Sequence, residues 1–279
     1  MSAPYALLQR LSPRWGEIIR PVFEQPRRFV LLTVRALAEE LGSDPATTLR
    51  IVKRLGFGRY RDFQHYLHEL SIANATSLDR MRTAPSTRDP ASAIVETLEL
   101  DLANLRTLRE HIDTTRLIAV AERLHQADRI AIFGGDLAVS LVHYLSYHLA
   151  ILGLPCLTAT TPGQTVHLTR TLGPGDLVIA ISLGRGLRQT VEGLARAHAN
   201  GAYCVGIANN VISPINRHAD ETFVVASETH SFGESYAAPM ALLNALQRAC
   251  AHARLERTLE LLEDAAQEQR FGYRWHAEE

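Results

Sequence analysis

A regular alternation of short apolar runs and helical stretches between residues 129 and 225 constrains the fold more than any other feature. Strands with one wet face alternate apolar and polar residues, whereas strands of a parallel sheet covered on both faces are apolar throughout. The runs here are continuous, as in IAIF at 130–133, and helical segments separate them. The sequence therefore predicts an α/β domain with a five-stranded parallel sheet and helices on both faces. The predicted strands are residues 129–133, 154–158, 176–181, 203–207 and 221–225.

Further helices are predicted on either side of this region. One runs from about Ala91 to Arg109, and a shorter one begins at Asp113 or Thr114. A long helix rich in Ala and Leu is predicted from about Glu234 to Leu262. The first of these helices has apolar residues at helical spacing, namely Ile94, Val95, Leu98, Leu102, Leu105 and Leu108.

A different pattern lies near the N-terminus, where residues 33–57 (TVRALAEELGSDPATTLRIVKRLGF) predict two short helices joined by a tight turn. Thr33 can cap the first helix, and Gly42 can end it in the left-handed conformation. Asp44 can cap the second helix, with Pro45 at its first position, where the missing N–H costs nothing. This arrangement is typical of the helix-turn-helix that enters the major groove of DNA. The sequence therefore predicts an all-α helix-turn-helix domain before the α/β domain.

The second helix of this motif has one apolar side and one polar, cationic side. Leu49, Val52 and Leu55 are predicted to point inward. Arginine and small hydroxyls suit base edges, and cations suit phosphates. We predict that base edges are contacted by Thr47, Thr48 and Arg50. We predict that phosphates are contacted by Lys53, Arg54, Arg59 and Arg61. The predicted DNA-binding residues also include Thr33 and Asp44.

Charge is unevenly distributed, although the net charge is only −1. Residues 1–80 contain 12 Lys and Arg against 8 Asp and Glu, and the remainder contains 17 against 22. A basic block before an acidic remainder favours a nucleic-acid-binding module, with double-stranded DNA as its partner. The excess is small enough to arise by chance, and a solvated cationic face is the alternative for Arg59 and Arg61.

Residues 81–91 (MRTAPSTRDPA) have the composition of a linker. The predicted organisation is a helix-turn-helix domain at 1–80, this linker, and the α/β domain at 92–279. No apolar run approaches the roughly 20 residues of a membrane span, and the N-terminus lacks a secretory pattern, so a cytoplasmic location is predicted. The three widely spaced cysteines predict buried thiols, and we expect no metal or other cofactor.

Ligands of parallel α/β sheets bind beyond the carboxyl ends of the strands. Three predicted loops lie there, after the first, third and fifth strands. The candidate ligand-binding residues in these loops are Gly134, Gly135, Asp136, Ser182, Gly184, Arg185, Arg188, Glu228 and Glu234.

Over nearly its full length the chain resembles bacterial transcription regulators of the RpiR/MurR type, which join a helix-turn-helix to a sugar isomerase (SIS) domain. The resemblance rests on LTVRALAEELG and ATTLRIVKRLGFGRYRDF in the first part, and on LGPGDLVIAIS and GAYCVGIANNVISPINRHADETFVV in the second. It implies a homodimeric or homotetrameric regulator that binds a palindromic operator. It also implies that the SIS domain senses a small effector, typically a phosphorylated sugar.

Two loops depart from the pattern of the family that the chain resembles. After the first strand, Gly134-Gly135-Asp136 stands where that family usually has Gly-x-Gly-Ser-Ser. After the third strand, Ser182 is kept, but Gly184 and Arg185 replace a serine and a glycine.

A carboxylate repels a phosphate dianion, so Asp136 argues against a phosphorylated sugar. Arg185 and Arg188 could still bind an anion from the other side of the site. We therefore expect a carboxylate or another unphosphorylated ligand. The alternative is that Asp136 caps its own helix and Arg185 points into solvent.

Several titratable residues allow other interpretations. For the three histidines near the sheet, His143, His148 and His167, packing or hydrogen bonding is expected rather than metal binding. Glu228, His230 and Glu234 follow the fifth strand, near where SIS isomerases keep an acid–base carboxylate. An isomerase or lyase is therefore one alternative function, and a SIS domain that only holds an oligomer together is another.

Overall fold

The structure, a computed structural model, describes residues 7–8, 11–24, 26–73, 89–184, 186–210, 213–230 and 233–271. The chain divides into two compact units. One comprises residues 1–85 with 210–213, and the other comprises residues 86–209 with 214–279. The division after residue 85 falls inside the segment that the sequence predicts as a linker.

The N-terminal unit is a helical domain. Its apolar faces enclose a core in which Phe23 meets the edge of Phe63, with ring centres 6.1 Å apart. Phe57 and Tyr66 pack beside this pair, and such aromatic contacts add to the free energy gained by burial. The helices are α1 (Pro13–Glu24), α2 (Pro26–Phe29), α3 (Val34–Glu40), α4 (Pro45–Arg54) and α5 (Tyr60–Ala73).

Helices α3 and α4 form the predicted helix-turn-helix, and their caps explain where they begin. The Thr33 hydroxyl accepts the backbone N–H of Ala36 at 3.3 Å, and an Asp44 carboxylate oxygen accepts that of Thr47 at 2.8 Å. The turn between the helices passes through Gly42 with φ at +59°. Glycine takes this conformation without the steric cost that a Cβ would impose.

Two side chains of α4 are not where the sequence predicts them. Leu49 is 38% exposed, whereas Ile51 is buried with Val52 and Leu55. Helical residues are 100° apart, so positions 48, 51, 52 and 55 share the inner face and position 49 lies beside it. Thr48 is therefore fully buried, and its hydroxyl makes no hydrogen bond within the described residues. The prediction that Thr48 contacts DNA is wrong, because its side chain lies in the core.

The second unit contains the predicted five-stranded parallel sheet. The strands are β1 (Ile130–Phe133), β2 (Cys156–Ala159), β3 (Leu177–Ser182), β4 (Tyr203–Ala208) and β5 (Glu221–Val224). Their spatial order is β2-β1-β3-β4-β5, and every neighbouring pair is parallel. The chain moves outward from β1 to β2 and then returns to start β3 on the other side of β1. The strand order reverses at this point, and the loops after β1 and β3 diverge to leave a crevice.

Helices cover both faces of the sheet. Ile130 and Ile132 point to one face, and Ala131 and Phe133 point to the other. The helices of this unit are α6 (Pro90–His111), α7 (Thr114–Gln126), α8 (Val139–Ile151), α9 (Pro162–Thr169), α10 (Arg188–Ala199), α11 (Ala237–Ala253) and α12 (Leu255–Phe271). Helices α7, α8 and α11 pack on the first face, and α9 and α10 pack on the second.

The prediction of one long helix from Glu234 to Leu262 is wrong. The observed helix α11 begins at Ala237 and ends before Arg254, whose φ and ψ are −139° and 60°. The Thr258 hydroxyl donates to the carbonyl of Ala251 at 3.1 Å. This bond gives a partner to one of the last carbonyls of α11, which have none within the helix. No glycine or proline marks the break in the sequence.

Helix α6 is only partly covered. Leu105 and Leu108 pack against the core, whereas the preceding apolar positions are exposed. The exposed fractions are 64% for Ile94, 57% for Val95, 59% for Leu98 and 45% for Leu102. No helix in the described part of the chain combines the length and apolar character of a membrane span.

Two leucine truncations test the core of the N-terminal unit. Leu37 is fully buried and Leu31 is 88% exposed. We expect Leu37→Ala to lower the free energy of unfolding by about 2–5 kcal/mol, because it leaves a cavity. The matched variant Leu31→Ala should change it by less than about 0.5 kcal/mol. Urea denaturation followed by circular dichroism measures both, and equal losses would contradict this packing.

Candidate functional site

The exposed side of α4 is the candidate DNA-binding surface. Arg50, Lys53 and Arg54 are exposed there. Arg50 lies back along the helix, because its guanidinium donates to the Thr47 hydroxyl at 3.2 Å and to the Ala46 carbonyl at 3.4 Å. The cation is thus held near the N-terminal end of α4, which is the end that reads base edges in helix-turn-helix proteins.

Thr33 and Asp44 have a structural role at this surface, since both cap helices. The hydrogen bonds from Thr47 lower the pKa of Asp44. The carboxylate therefore stays charged at the positive end of the helix dipole, which favours the start of α4. Thr33 thus fixes the start of α3, and Asp44 fixes the start of α4.

Arg59 and Arg61 are exposed at the start of α5. The Arg59 backbone N–H donates to the Asp62 carboxylate at 3.0 Å, which helps to define this helix start. Tyr60 donates through its hydroxyl to the Leu32 carbonyl at 2.8 Å, just before α3. Burial raises the pKa of Tyr60 to about 12, so this donor stays protonated. The Tyr60 hydrogen bond therefore holds the start of α5 close to the residue that precedes the helix-turn-helix.

The second candidate site lies at the carboxyl edge of the sheet, and its best-defined part is a hydrogen-bond network. Asn209, directly after β4, accepts the Gly184 backbone N–H at 3.0 Å. Its amide donates to the Ser227 hydroxyl at 3.0 Å and to Glu234 at 3.3 Å. Ser227 in turn donates to the same Glu234 oxygen at 2.7 Å. The loops after β3, β4 and β5 are thereby joined.

Close packing defines the loop after β1. A Cβ on Gly135 would lie 2.6 Å from the Gln189 amide nitrogen and 2.7 Å from a Leu187 methyl. Gln189 donates to the Thr160 carbonyl at 3.1 Å, which connects the start of α10 to the loop after β2. Glycine at position 135 thus lets the β1 loop approach the start of α10.

Asp136 has an unusual backbone for a residue with a side chain. Its φ is +54°, and it is the one non-glycine residue in the described ranges with a positive value. It starts a short 3₁₀ turn, and its carboxylate is exposed. The cap position of that turn is Gly135, which has no side chain to form a capping hydrogen bond, and Asp136 is an acidic residue in the first turn.

Two carboxylates act on one phenol at this edge. The pKa of Tyr236 is raised to about 12 by burial and, to a lesser extent, by the negative charges of Asp136 and Glu234. A Cβ on Gly184 would lie 3.3 Å from a Glu234 carboxylate oxygen, so Glu234 lies against the loop after β3. Asp136, in the loop after β1, adds a second carboxylate to the carboxyl edge of the sheet.

The structure does not bring all the predicted ligand-binding residues together. Arg188 is 89% exposed and forms an ion pair at 2.7 Å with Glu192 on its own helix. The Glu228 side chain is exposed, and its backbone carbonyl instead accepts the amide of the buried Asn104 at 2.8 Å. Ser182 and Gly184 lie at the crevice. Arg185 lies outside the described residues.

Sequence reasoning missed four polar residues of this edge, namely Asn104, Gln189, Asn209 and Ser227. Asn209 could have been found, because it follows the fourth strand directly and so lies at the carboxyl edge. Asn104 could not, since it is far away in the sequence and lies on a helix that precedes the sheet.

Of the three histidines near the sheet, only His148 shows the expected hydrogen bonding in the described part of the chain, with its Nδ1 2.8 Å from the Tyr144 carbonyl. His143 and His167 are exposed, so the prediction that they pack in the core is wrong for these two. Within the described residues, none of the three belongs to a cluster of metal-ligating side chains.

A comparison with protein families matches residues 123–249 to the SIS domain. Uncharacterized HTH-type transcriptional regulators are among the similar proteins. One from Caldanaerobacter subterraneus subsp. tengcongensis is 23% identical over 232 residues, which cover 79% of this chain and 78% of the relative. One from Haemophilus influenzae is 23% identical over 224 residues, which cover 78% of this chain and 77% of the relative.

Solved structures show the same fold. The sugar isomerase domain of an RpiR transcription factor from Sphaerobacter thermophilus superposes with a TM-score of 0.60 at 26% identity, covering 62% of this chain and 98% of that domain. The Vibrio vulnificus NanR protein, complexed with ManNAc-6P, superposes with a TM-score of 0.59 at 20% identity, covering 95% of this chain and 98% of NanR. Residues 123–249 therefore form a SIS domain, and the chain as a whole has the helix-turn-helix and SIS organisation of the RpiR-type transcription regulators that it resembles.

Proposed function

We propose that this protein is a DNA-binding transcription regulator whose SIS domain senses a small molecule. The observation that carries the proposal is a capped recognition helix with exposed cations in the same chain as a SIS domain. The names of the similar regulators support the same function.

On the DNA side, the roles follow from position on the helices. Thr47 and Arg50, near the N-terminal end of α4, contact base edges. The cations farther along α4 and at the start of α5, namely Lys53, Arg54, Arg59 and Arg61, contact phosphates. Thr48 has no part in this surface because it is buried.

Two substitutions separate base readout from phosphate contact. Arg50→Ala should remove about 1–3 kcal/mol of discrimination between the operator and random DNA, because an arginine–guanine contact is lost. Lys53→Ala should weaken both DNAs alike and reduce the slope of log K against log salt by about 1. Fluorescence anisotropy at several salt concentrations, with an operator selected from a random DNA library, measures both effects.

Arg170→Ala is the matched control, since Arg170 is an exposed arginine of the SIS-containing unit that lies away from α6. It should bind both DNAs as the unaltered protein does. Equal losses on operator and random DNA for Arg50→Ala and Lys53→Ala would contradict this division of roles.

On the ligand side, we propose that the crevice between β1 and β3 binds an unphosphorylated compound. The carboxylates of Asp136 and Glu234 make this edge acidic, and after burial they contribute to the raised pKa of Tyr236. Arg188, which the sequence offers as an anion partner, is paired with Glu192 on the helix surface. A carboxylate ligand is disfavoured for the same reasons, so hydroxyl- or amine-bearing sugars and polyols fit best. NanR was solved with ManNAc-6P, so sugar phosphates are the competing class.

A thermal-shift screen against free sugars, amino sugars, polyols, sugar phosphates and small carboxylates tests the ligand class. A ligand at 100 times its Kd stabilises the folded protein by about 2.7 kcal/mol, which gives a clear shift in Tm. We expect shifts from unphosphorylated hydroxyl or amine compounds. A shift from sugar phosphates alone would show that Asp136 does not exclude them. If none of the compounds shifts the Tm, that result favours a SIS domain that serves only assembly.

Catalysis is not part of the proposed function. An SIS isomerase needs both an acid–base carboxylate and a site that holds the substrate phosphate. Here the Glu228 side chain is exposed, and Glu234 is hydrogen-bonded to Ser227 and Asn209.

We further propose that the chain forms a homodimer or homotetramer, as two recognition helices on a palindromic operator require. The exposed apolar half of α6 is the surface that supports this. Ile94, Val95, Leu98 and Leu102 form a stripe at helical spacing, and a contiguous apolar stripe in water is typical of a protein interface.

A charge in this stripe should disrupt the oligomer. Leu98→Asp is expected to shift the molar mass measured by light scattering towards that of a single chain, because the carboxylate would be buried without a partner. Leu31→Asp, at an exposed leucine of the other unit, is the matched control and should keep the assembly. Unchanged mass for Leu98→Asp would place the interface elsewhere.

A further inference from the structure

Away from the crevice, at the opposite edge of the sheet, three side chains with different ligand atoms converge. His198 lies near the end of α10, Cys204 is the second residue of β4, and Asp220 directly precedes β5. Their ligand atoms all lie within 4.8 Å of one another, and in the described part of the chain this is the one such group. The sequence alone does not predict this cluster, because the spacing of the three residues matches no metal-binding motif.

The geometry within the cluster is closely defined. His198 Nδ1 lies 3.6 Å from Asp220 Oδ2. The same carboxylate oxygen accepts the Cys204 backbone N–H at 2.7 Å, and the Asp220 backbone N–H donates to the Cys204 carbonyl at 2.7 Å. Cys204 and Asp220 are thus held by two reciprocal hydrogen bonds.

Regular secondary structure supports each residue. The backbone of Cys204 pairs with Val178 in the middle of the sheet. Gly201 donates its N–H to the His198 carbonyl at 3.0 Å and so closes the end of α10. Sites built on strands and helix ends hold ligand atoms more firmly than sites on loops.

A cleft of about 550 Å³ reaches this cluster from solvent. His198 and Asp220 both line it, together with Ala202 and Tyr203. Cys204 is fully buried behind them. The cluster therefore has an open side, through which an ion can enter and a water can complete its coordination.

The ligand atoms of this cluster favour one class of metal ion. Thiolate and imidazole suit zinc and similar transition metals, whereas all-oxygen sites suit magnesium and calcium. With bonds of about 2.0–2.3 Å, the ligand atoms of a tetrahedral zinc site lie about 3.2–3.8 Å apart, so the observed spacing needs about 1 Å of adjustment.

Metal binding requires the Cys204 thiol to lose its proton. Its Sγ lies 3.5 Å from the Ala202 carbonyl. When a metal binds, the sulfur–metal bond replaces the S–H bond and the proton passes to solvent.

We propose that His198, Cys204 and Asp220 bind one divalent transition metal ion, of which zinc fits best, with water as the fourth ligand. The ion would cross-link α10, β4 and the start of β5 at the edge opposite the effector crevice. Cys204 is then a metal ligand and not the inert core thiol that the sequence predicts.

The test is a cobalt titration of the tag-free, metal-stripped full chain in the presence of a non-thiol reductant. Co²⁺ reports a thiolate ligand through a sulfur-to-metal charge-transfer band. We expect this band to saturate at one ion per chain and to disappear when Zn²⁺ is added. Zn²⁺ should also raise the Tm of the protein.

Matched variants assign the ligands. Cys204→Ser should abolish the band, and His198→Gln and Asp220→Asn should weaken the affinity by about tenfold or more. The side-chain amide that Asp220→Asn introduces keeps an acceptor for the Cys204 N–H, so this variant remains informative if Cys204→Ser does not fold. Cys156→Ser, at a half-buried thiol of another strand, should bind as the unaltered protein does.

The proposal is overturned if the unaltered chain shows no charge-transfer band, or if the band survives in Cys204→Ser. It is also overturned if Asp220→Asn and His198→Gln both bind with unchanged affinity. These outcomes do not depend on DNA binding or on the identity of the effector, so the metal site and the proposed regulatory function fail separately.

Discussion

The structure of the larger unit depends on the parallel pairing of five strands whose faces are both buried. Because parallel neighbours need a crossover, every strand is followed by a chain segment that crosses one face of the sheet. All carboxyl ends then meet at one edge and all amino ends at the other. The candidate effector crevice and the candidate metal cluster lie at these two opposite edges, so one architecture separates the two sites.

The carboxyl edge combines the strand arrangement of a SIS domain with loop residues of this chain. Gly135 allows the β1 loop to approach α10, and Asn209 joins the loops after β3 and β5. The sequence has Asp136 after β1 and Arg185 after β3, where the family that the chain resembles usually has uncharged residues. For the proposed effector site, the fold gives the position of the ligand and these side chains give its class.

Much of the helix-turn-helix was predictable because its signals are local. Thr33, Gly42 and Asp44 each act within a few residues of their own position, through a cap or a left-handed turn. The predictions were wrong where contact with another element determines whether a side chain is buried. Thr48 is polar, yet the tight packing of α4 against its neighbours buries it.

The sequence by itself determined the helix-turn-helix, the five parallel strands and the loops in which a ligand site is expected. These depend on hydrophobic periodicity and on turn residues, which are properties of short segments. Tertiary structure alone decided the burial of Thr48, the break at Arg254, the Asn209 network and the meeting of His198, Cys204 and Asp220. These features join residues that are distant in the chain, and only the packing of complete elements determines which side chains meet.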